Sequence, residues 1–113
     1  MNSLDHFVEQ ISWTPSEKKI ARKAFDRALE RQCASIKAEA QEMIARAGAP
    51  SEIWRVHDYL SEQRRKIDVL YDYRYSVLLE TFGAALRDGW LTEVDLAGLH
   101  RDKIDRIKRF ANF

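Results

Sequence analysis

Two long segments of this chain contain neither proline nor glycine. The first lies between Pro15 and Gly48, and the second lies between Pro50 and Gly83. Proline and glycine are the residues that most strongly interrupt helices. The whole chain has only 4 Gly and 2 Pro among 113 residues, which is too few turn formers for an all-β fold. The sequence therefore predicts an all-α fold built on two long antiparallel helices.

Local signals predict where these helices begin and end. The sequence TPSE that begins at Thr14 has the form of a capping box, in which Thr14 caps the helix and Glu17 reaches back to the cap. Helical spacing then continues to the next glycine, which predicts the first helix over 14–47. Ser51 is a candidate N-cap, and the pattern after it predicts a second helix over 51–88.

Shorter helical patterns flank the two long helices. Four apolar residues near the N-terminus recur at helical spacing: Leu4, Phe7, Val8 and Ile11. They form one apolar stripe, which predicts a short arm over 1–12 that packs against another surface. A second capping box, Thr92 to Asp95, and the apolar residues after it predict short helices over 92–113. No linker or repeat interrupts these segments, so 1–113 is predicted to be a single domain.

The predicted second helix carries a 3.5-residue repeat, which is typical of a coiled-coil seam. The repeat comprises Ile53, His57, Leu60, Arg64, Ile67, Tyr71, Arg74 and Leu78. A helix of about 32 residues is about 48 Å long, whereas a compact domain of this size has a radius of gyration of about 13 Å. We therefore expect a homodimer in which a second copy covers the remaining apolar surface. The alternative is a long monomeric hairpin whose seam faces the first helix.

Charge and composition argue against several classes of function. Nineteen Lys and Arg against eighteen Asp and Glu give a net charge of +1, so no overall field favours nucleic acid or an anionic membrane. No stretch has the roughly 18 apolar residues of a membrane span. The single cysteine, Cys33, cannot form an internal disulfide, and the N-terminal sequence does not have the pattern of a secretory signal. A reducing cytoplasm is therefore expected.

Residue types that perform catalysis or bind metals are few and scattered. His6, His57 and His100 have no His, Cys or carboxylate partner at the spacing of a known metal motif. Cys33 has no histidine within one turn, so we expect a small core or interface residue rather than a nucleophile. The sequence therefore predicts neither an enzyme nor a metal or cofactor site.

One segment of the predicted second helix has the composition of an interaction surface. Trp54, His57, Asp58 and Arg64 fall within a sector of about 120° when residues are placed at 100° intervals. Leu60 lies between them in the sequence. Tryptophan and arginine supply large contact area and directional hydrogen bonds, and they are enriched at binding hot spots. The alternative is that Trp54 belongs to the core and that the charged groups merely pair with one another.

This segment resembles the fluorescence recovery protein family of cyanobacteria and their relatives. The match runs from Trp54 to Val77 with the pattern WxxHDxLSxxRxxIDxxYDxRxSV. A weaker match, DKIxxIK, begins at Asp102. The first match covers most of the predicted second helix, and the order of the other helical segments also agrees with the family.

The resemblance implies an all-helical homodimer whose long helices form a stalk and whose short C-terminal helices form a head. Members of the family bind the photoactivated orange carotenoid protein, mainly through its C-terminal domain. They accelerate its red-to-orange reversion and so end non-photochemical quenching, a form of photoprotection. By resemblance, Trp54, His57, Asp58, Leu60 and Arg64 form a partner-binding or dimer patch. The alternative interpretation is a similar dimer with a different protein partner in a non-cyanobacterial bacterium.

Overall fold

The computed structural model describes residues 11–112, which form helices joined by short connections. The helices are α1 (Pro15–Arg46), α2 (Pro50–Leu70), α3 (Leu78–Arg87) and α4 (Arg101–Ala111), with a 3-10 helix (Glu93–Leu96) before α4. No strand occurs within 11–112, and the all-α prediction is confirmed. Within the same residues, no helix is both long and apolar enough to cross a bilayer. Leu4, Phe7 and Val8 of the predicted arm lie outside the described residues.

The start of α1 is the capping box that the sequence predicts. The Glu17 amide donates to the Thr14 hydroxyl at 3.1 Å, and the Thr14 amide donates to the Glu17 carboxylate at 3.1 Å. Pro15 occupies the first helical position, where no amide donor is needed. The helix ends at Arg46, so the predicted range 14–47 differs by one residue at each end.

The predicted start of the second helix is wrong by one residue. Ser51 is not the cap, because α2 begins at Pro50 and Ala49 occupies the N-cap position. Proline favours the first helical position because its φ is already fixed near the helical value. The Ala49 amide donates to the Glu52 side chain at 3.2 Å, which satisfies one of the free donors at the helix start.

The predicted continuous helix over 51–88 is wrong, because the structure divides it into two helices. α2 ends at Leu70, and α3 begins only at Leu78. The Thr81 hydroxyl donates to the Leu70 carbonyl at 3.3 Å and satisfies one of the last acceptors of α2. The predicted seam residues after Ile67 therefore do not belong to α2.

Three tyrosines explain the break between α2 and α3. Tyr71, Tyr73 and Tyr75 alternate with polar residues, and alternate side chains share a face when the backbone is extended. The rings of Tyr71 and Tyr73 meet the Phe25 ring edge-on, at centroid distances of 5.4 and 4.9 Å. The Tyr75 ring lies 5.3 Å from the Trp13 ring. In a helix the Tyr73 ring would point to the side opposite Tyr71 and Tyr75, so the packing of all three rings on one side is incompatible with a continuous helix through this segment.

The first half of α1 packs against the C-terminal helices, and together they form the head. The buried core of the head comprises Ala21, Ala24, Phe25, Ala28, Leu78, Leu79, Phe82, Ala85, Leu91, Leu96, Leu99 and Ile107. α3 and α4 approach closely at Gly83, where an added Cβ would collide with the Cβ of Phe110 and lie 3.0 Å from the Ile107 carbonyl oxygen. Glycine permits this approach because it has no side chain.

The second half of α1 pairs with α2, and together they form the stalk. At the end of α2 the Tyr71 hydroxyl donates to the Gln32 side chain in the middle of α1 at 2.8 Å, so the two helices are antiparallel. The molecule measures 62 × 32 × 24 Å, and its radius of gyration is 17.6 Å. A compact domain of this length would have a radius of about 13 Å. The stalk therefore extends well beyond the head.

Candidate partner-binding surface

All five residues of the predicted patch lie on α2, and all five are exposed. Trp54 is 67 % exposed and Leu60 is 42 % exposed. The side chains of His57, Asp58 and Arg64 are also largely open to solvent. The alternative in which Trp54 is a core residue is therefore wrong for the single chain. We refer to these five residues as the stalk patch.

Most of the predicted seam on α2 does not face α1, although Ile67 does. The buried and half-buried face of α2 comprises Glu52, Val56, Tyr59, Gln63, Ile67 and Leu70. Four predicted seam residues, which we call the seam strip, are exposed: Ile53, His57, Leu60 and Arg64. At 100° per residue, the strip lies about 90° around the helix from the face that meets α1. The hairpin whose seam is covered by the first helix is thus contradicted for these four positions.

The charged groups of the stalk patch make only weak contacts with one another and with their neighbours. The His57 Nδ1 atom lies 3.5 Å from the Asp58 carboxylate, at the upper limit of a hydrogen bond. The Arg64 Nε atom lies 3.8 Å from the Asp68 carboxylate. Exposed pairs at such distances contribute little to stability. These groups are therefore available for contacts with another protein surface.

Large apolar side chains are exposed along the stalk. They are Ile44 (55 %), Ile53 (47 %), Trp54 (67 %), Leu60 (42 %) and Val69 (75 %). A scattered exposed apolar residue is ordinary, but Ile53 and Leu60 share one side of α2, and a shared apolar face can form an interaction surface. The stalk can thus offer both an apolar contact and polar groups beside it.

A second concave surface lies on the head, and the sequence analysis did not identify it. We call it the head groove; it is lined by Ile11, Ser76, Leu79, Glu80, Arg106, Arg109 and Phe110 and has a volume of about 470 Å³. The spacing of Arg106, Arg109 and Phe110 at i, i+3 and i+4 shows that they share one side of a helix. That spacing was the available sequence signal, but it does not reveal that α3 forms the opposite wall.

A buried ion pair fixes α4 against the start of α1. The Lys103 ammonium lies 3.1 Å from both carboxylate oxygens of Glu17, and the His100 amide donates to one of them at 2.8 Å. Burial alone would favour the neutral acid. The amides of His100 and Thr14 and the Lys103 charge outweigh it and lower the pKa of Glu17 to about 2. The pair thereby sets the position of the helix that forms one wall of the head groove.

A second carboxylate holds the 3-10 helix against α1. The Arg31 guanidinium donates to Asp95 at 2.8 Å and to the Trp90 carbonyl at 3.0 Å. The Asp95 side chain also accepts from the Thr92 amide at 2.9 Å. The hydrogen bond from Arg31 is the main reason why the pKa of Asp95 is lowered to about 2. These contacts tie the 3-10 helix and the residue Trp90 before it to the middle of α1.

The sequence analysis also considered the histidines and the cysteine as residues that could bind a metal or act in catalysis. Within 11–112, no group of three or more His, Cys, Asp or Glu side chains is arranged to hold a metal ion. The His100 ring accepts from the Asp102 amide at 3.2 Å and caps α4. Cys33 is exposed, so it is not the core residue that the sequence allowed. His6 lies outside the described residues.

Comparison with known proteins connects this architecture to a family. Residues 13–111 match the sequence profile described as photoprotection regulator fluorescence recovery protein. The chain belongs to the fluorescence recovery protein family. The fluorescence recovery protein of Synechocystis sp. PCC 6803 is 31 % identical over 102 residues, which are 90 % of this chain and 94 % of that protein. The resemblance inferred from the sequence is thereby confirmed.

Solved structures of fluorescence recovery proteins share the fold. The structure from Fremyella diplosiphon has a TM-score of 0.85 and 34 % identity, and the match covers 90 % of this chain and 100 % of that one. The structure from Synechocystis sp. PCC 6803 has a TM-score of 0.85 and 30 % identity with the same coverage. The chain is thus a member of a family of photoprotection regulators.

Proposed function

We propose that this protein binds the photoactivated orange carotenoid protein, mainly through that protein's C-terminal domain, and accelerates its reversion from the red to the orange form. Non-photochemical quenching would then end. The observation that carries this proposal is the match of residues 13–111 to a family described as photoprotection regulators. The protein would act by binding and would form or break no covalent bond.

The proposed mechanism is differential affinity for the states of the partner. A protein that binds one of two conformations more tightly shifts the equilibrium toward that conformation. A faster return also requires that the barrier between the states be lowered, so contacts must be stronger in the transition state than in the red form. A rigid helical surface suits this role, because little conformational entropy is lost when it binds.

We propose that the acting unit is a homodimer formed through the seam strip. Leu60 and Ile53 are large apolar residues that the single chain leaves 42 % and 47 % exposed. A second copy related by a two-fold axis would cover both residues with the same surface. His57 and Arg64 would lie beside this contact, where polar groups at seam positions set register and partner choice.

The stalk patch would serve the function by contact with the partner and by fixing the geometry of the dimer. Trp54 lies on the outer side of α2, away from Val56, which packs on α1. Asp58 follows the same outer side. Arg64, like His57 and Leu60, belongs to both the patch and the seam strip, so it would link assembly to partner binding.

The test is a dark-reversion assay with photoconverted orange carotenoid protein. The wild-type protein should increase the rate of the red-to-orange return, measured by absorbance. Trp54→Ala and Arg64→Leu should each weaken the increase. Arg55→Leu is the matched control, because Arg55 is an exposed arginine on the side of α2 opposite Arg64. It should retain the wild-type rate.

Light scattering on each variant shows whether a loss of activity comes from loss of the dimer or from loss of a contact with the partner protein. If Arg64→Leu becomes monomeric, its loss of activity reports on the dimer, and if it remains dimeric, Arg64 contacts the partner. A well-folded dimer that gives no acceleration at any concentration would reject the proposed function. A pull-down from the native lysate would then identify the different partner of the alternative interpretation.

A further inference from the structure

Four basic residues follow one row along the head half of α1. Lys19, Lys23, Arg27 and Arg31 recur at every fourth position, and all four are exposed. Successive members lie about 6 Å apart along the helix axis and about 40° apart around it. Like charges at this spacing destabilise a helix, so the row carries a cost in the stability of α1. We call these four residues the basic ridge.

The basic ridge differs from the other charged rows of the helices, which alternate in sign. Several arginines have an acidic partner four residues away: Arg22 with Asp26, Arg46 with Glu42, Arg64 with Asp68 and Arg101 with Asp105. Lys19 and Lys23 form no ion pair with any residue of 11–112. Of the acids on the same stretch of α1, Asp26 is paired and Glu30 lies beside Arg27 and Arg31. The uncompensated charge is therefore concentrated at Lys19 and Lys23.

An apolar cleft runs beside the basic ridge, between α1 and the 3-10 helix. Its apolar lining is Ile20, Ala24, Val94 and Ala97, with Lys23 and Arg27 at its edge, and its volume is about 320 Å³. Val94 is 83 % exposed, more than any other large apolar residue of 11–112. Asp95 also lines the cleft, but its carboxylate already meets Arg31 at 2.8 Å and Arg27 at 3.6 Å. The cleft therefore presents an apolar surface with a positive edge.

This combination fits an acidic amphipathic helix. Carboxylates at every fourth position of a helix repeat at about 6 Å, which is the spacing of the basic ridge. An apolar side chain next to those carboxylates would enter the cleft and cover Val94. A nucleic acid has phosphates but no apolar side chain for the cleft, and the net charge of +1 gives it no long-range attraction. The complementary partner is therefore a protein segment.

We propose that the basic ridge and its cleft form a docking site for an acidic amphipathic helix of another protein. Lys19 and Lys23 pair with its carboxylates, and Val94 contacts its apolar side. This inference goes beyond the proposed function, because the site lies on the head and shares no residue with the stalk patch.

Binding of a synthetic peptide to the full chain tests the proposal. The probe is a fluorescein-labelled helical peptide with glutamate at every fourth position and a row of leucines beside the glutamates. Its control is a scrambled peptide of the same composition, in which the glutamates point to all sides. The aligned peptide should bind about tenfold more tightly than the scrambled one, because only its carboxylates can meet the ridge together. Fluorescence anisotropy measures both affinities, and added salt should weaken the tighter binding.

Charge reversal locates the binding on the ridge. Lys19→Glu with Lys23→Glu should weaken binding of the aligned peptide by about tenfold or more, because two attractive contacts become repulsive. Arg55→Glu with Lys66→Glu is the matched control, since it changes the net charge equally at exposed positions of α2 on the stalk. It should keep the wild-type affinity.

A matched pair of valines tests the apolar part of the site. Val94→Ser should weaken binding of the aligned peptide several-fold, because the apolar contact in the cleft is lost. Val69→Ser is the control, since Val69 is a valine of the stalk that is 75 % exposed. It should leave the affinity unchanged. Circular dichroism checks that every variant keeps its helices.

Several outcomes would overturn the proposal. They are no binding of the aligned peptide, equal affinity for the scrambled peptide, and equal losses for the two charge-reversed pairs or for the two valine variants. Tighter binding of single-stranded DNA than of the aligned peptide would also overturn it, because the ridge would then be a site for phosphates. None of these measurements uses the orange carotenoid protein, so failure here is distinct from failure of the proposed function.

Discussion

Glu17 joins parts of the head that are distant in the sequence. Its carboxylate completes the capping box with Thr14, accepts from the His100 amide and pairs with Lys103. The side chains of Glu17 and Lys103 are only 7 % and 11 % exposed. Water therefore cannot readily solvate either charge if its partner is removed. Removing one member of such a pair leaves the other charge buried and uncompensated.

Glu17→Gln should lower the free energy of unfolding by about 2 kcal/mol, because hydrogen bonds to a charged group contribute about 1.5–3 kcal/mol. Glu52→Gln is the matched control, since Glu52 caps the start of α2 in the same way but forms no buried ion pair with any residue of 11–112. This control should change the free energy of unfolding by only a few tenths of a kcal/mol. Urea denaturation measures both values, and equal losses for the two variants would contradict the role assigned to Lys103.

The two carboxylates with lowered pKa predict how stability depends on pH. Glu17 and Asp95 titrate at about 2 in the folded chain, below their ordinary values of 4.5 and 3.8. Their contribution is therefore complete above the ordinary values and is lost as the pH falls toward 2. Thermal melts between about pH 6 and pH 3 should show a falling midpoint. The double variant Glu17→Gln with Asp95→Asn should start lower and fall less steeply.

At the scale of elements, local signals predicted α1 well and α2 poorly. The box at Thr14 and the glycine after Arg46 act over a few residues, so they could be recognised without the fold. The end of α2 at Leu70 depends on Phe25 and Trp13, which are distant in the sequence. The alternation of tyrosines after Leu70 was a sequence signal that the helix ends. The seam residues on both sides of it keep helical spacing, however, and they predicted that the helix continues.

The candidate surface, like the helices, could be predicted only where the signal comes from residues that are close in the sequence. Periodicity placed Trp54, Asp58 and Arg64 on one side of a helix, and their exposure agrees with that placement. Periodicity alone could not decide which side of α2 meets α1. The head groove could not be predicted, because Leu79 and Arg106 come together only through the packing of α3 on α4.

The close contact between α3 and α4 predicts that a substitution at one glycine lowers the free energy of unfolding. Gly83→Ala would place a methyl group against Phe110 and the Ile107 carbonyl and force the helices apart. Overpacking of this kind should cost about 2 kcal/mol, which exceeds the gain in helix propensity of about 1 kcal/mol. Gly48→Ala is the control, because no atom lies within 4 Å of its added Cβ. Urea denaturation should show a loss only for Gly83→Ala.

At the scale of the whole molecule, the stalk leaves large apolar side chains exposed. α1 has 32 residues, but its first half packs in the head and only its second half pairs with α2. Within residues 11–112, the stalk consequently consists of two helices, and no third element covers its outer sides. Its exposed apolar residues include Leu60 and Ile53 on the seam strip. A two-fold dimer would give each stalk two further helices and a closed core.

Leu60→Glu should convert the proposed dimer to a particle of the 13.2 kDa chain mass. Near a two-fold axis, the change would place two carboxylates in a desolvated contact, where like charges are strongly unfavourable. The single chain should stay folded, because Leu60 is already 42 % exposed. Val69→Glu is the matched control, since Val69 is an exposed apolar residue on the opposite side of α2. It should remain dimeric.

Light scattering measures the mass, and far-ultraviolet circular dichroism checks that both variants keep their helices. The dimer proposal predicts twice the chain mass for the wild type and for Val69→Glu, and the chain mass for Leu60→Glu. Wild-type protein at the chain mass would reject the homodimer. Dissociation by both variants would show that the interface lies elsewhere on the stalk, because opposite sides of one helix cannot both face a single two-fold partner.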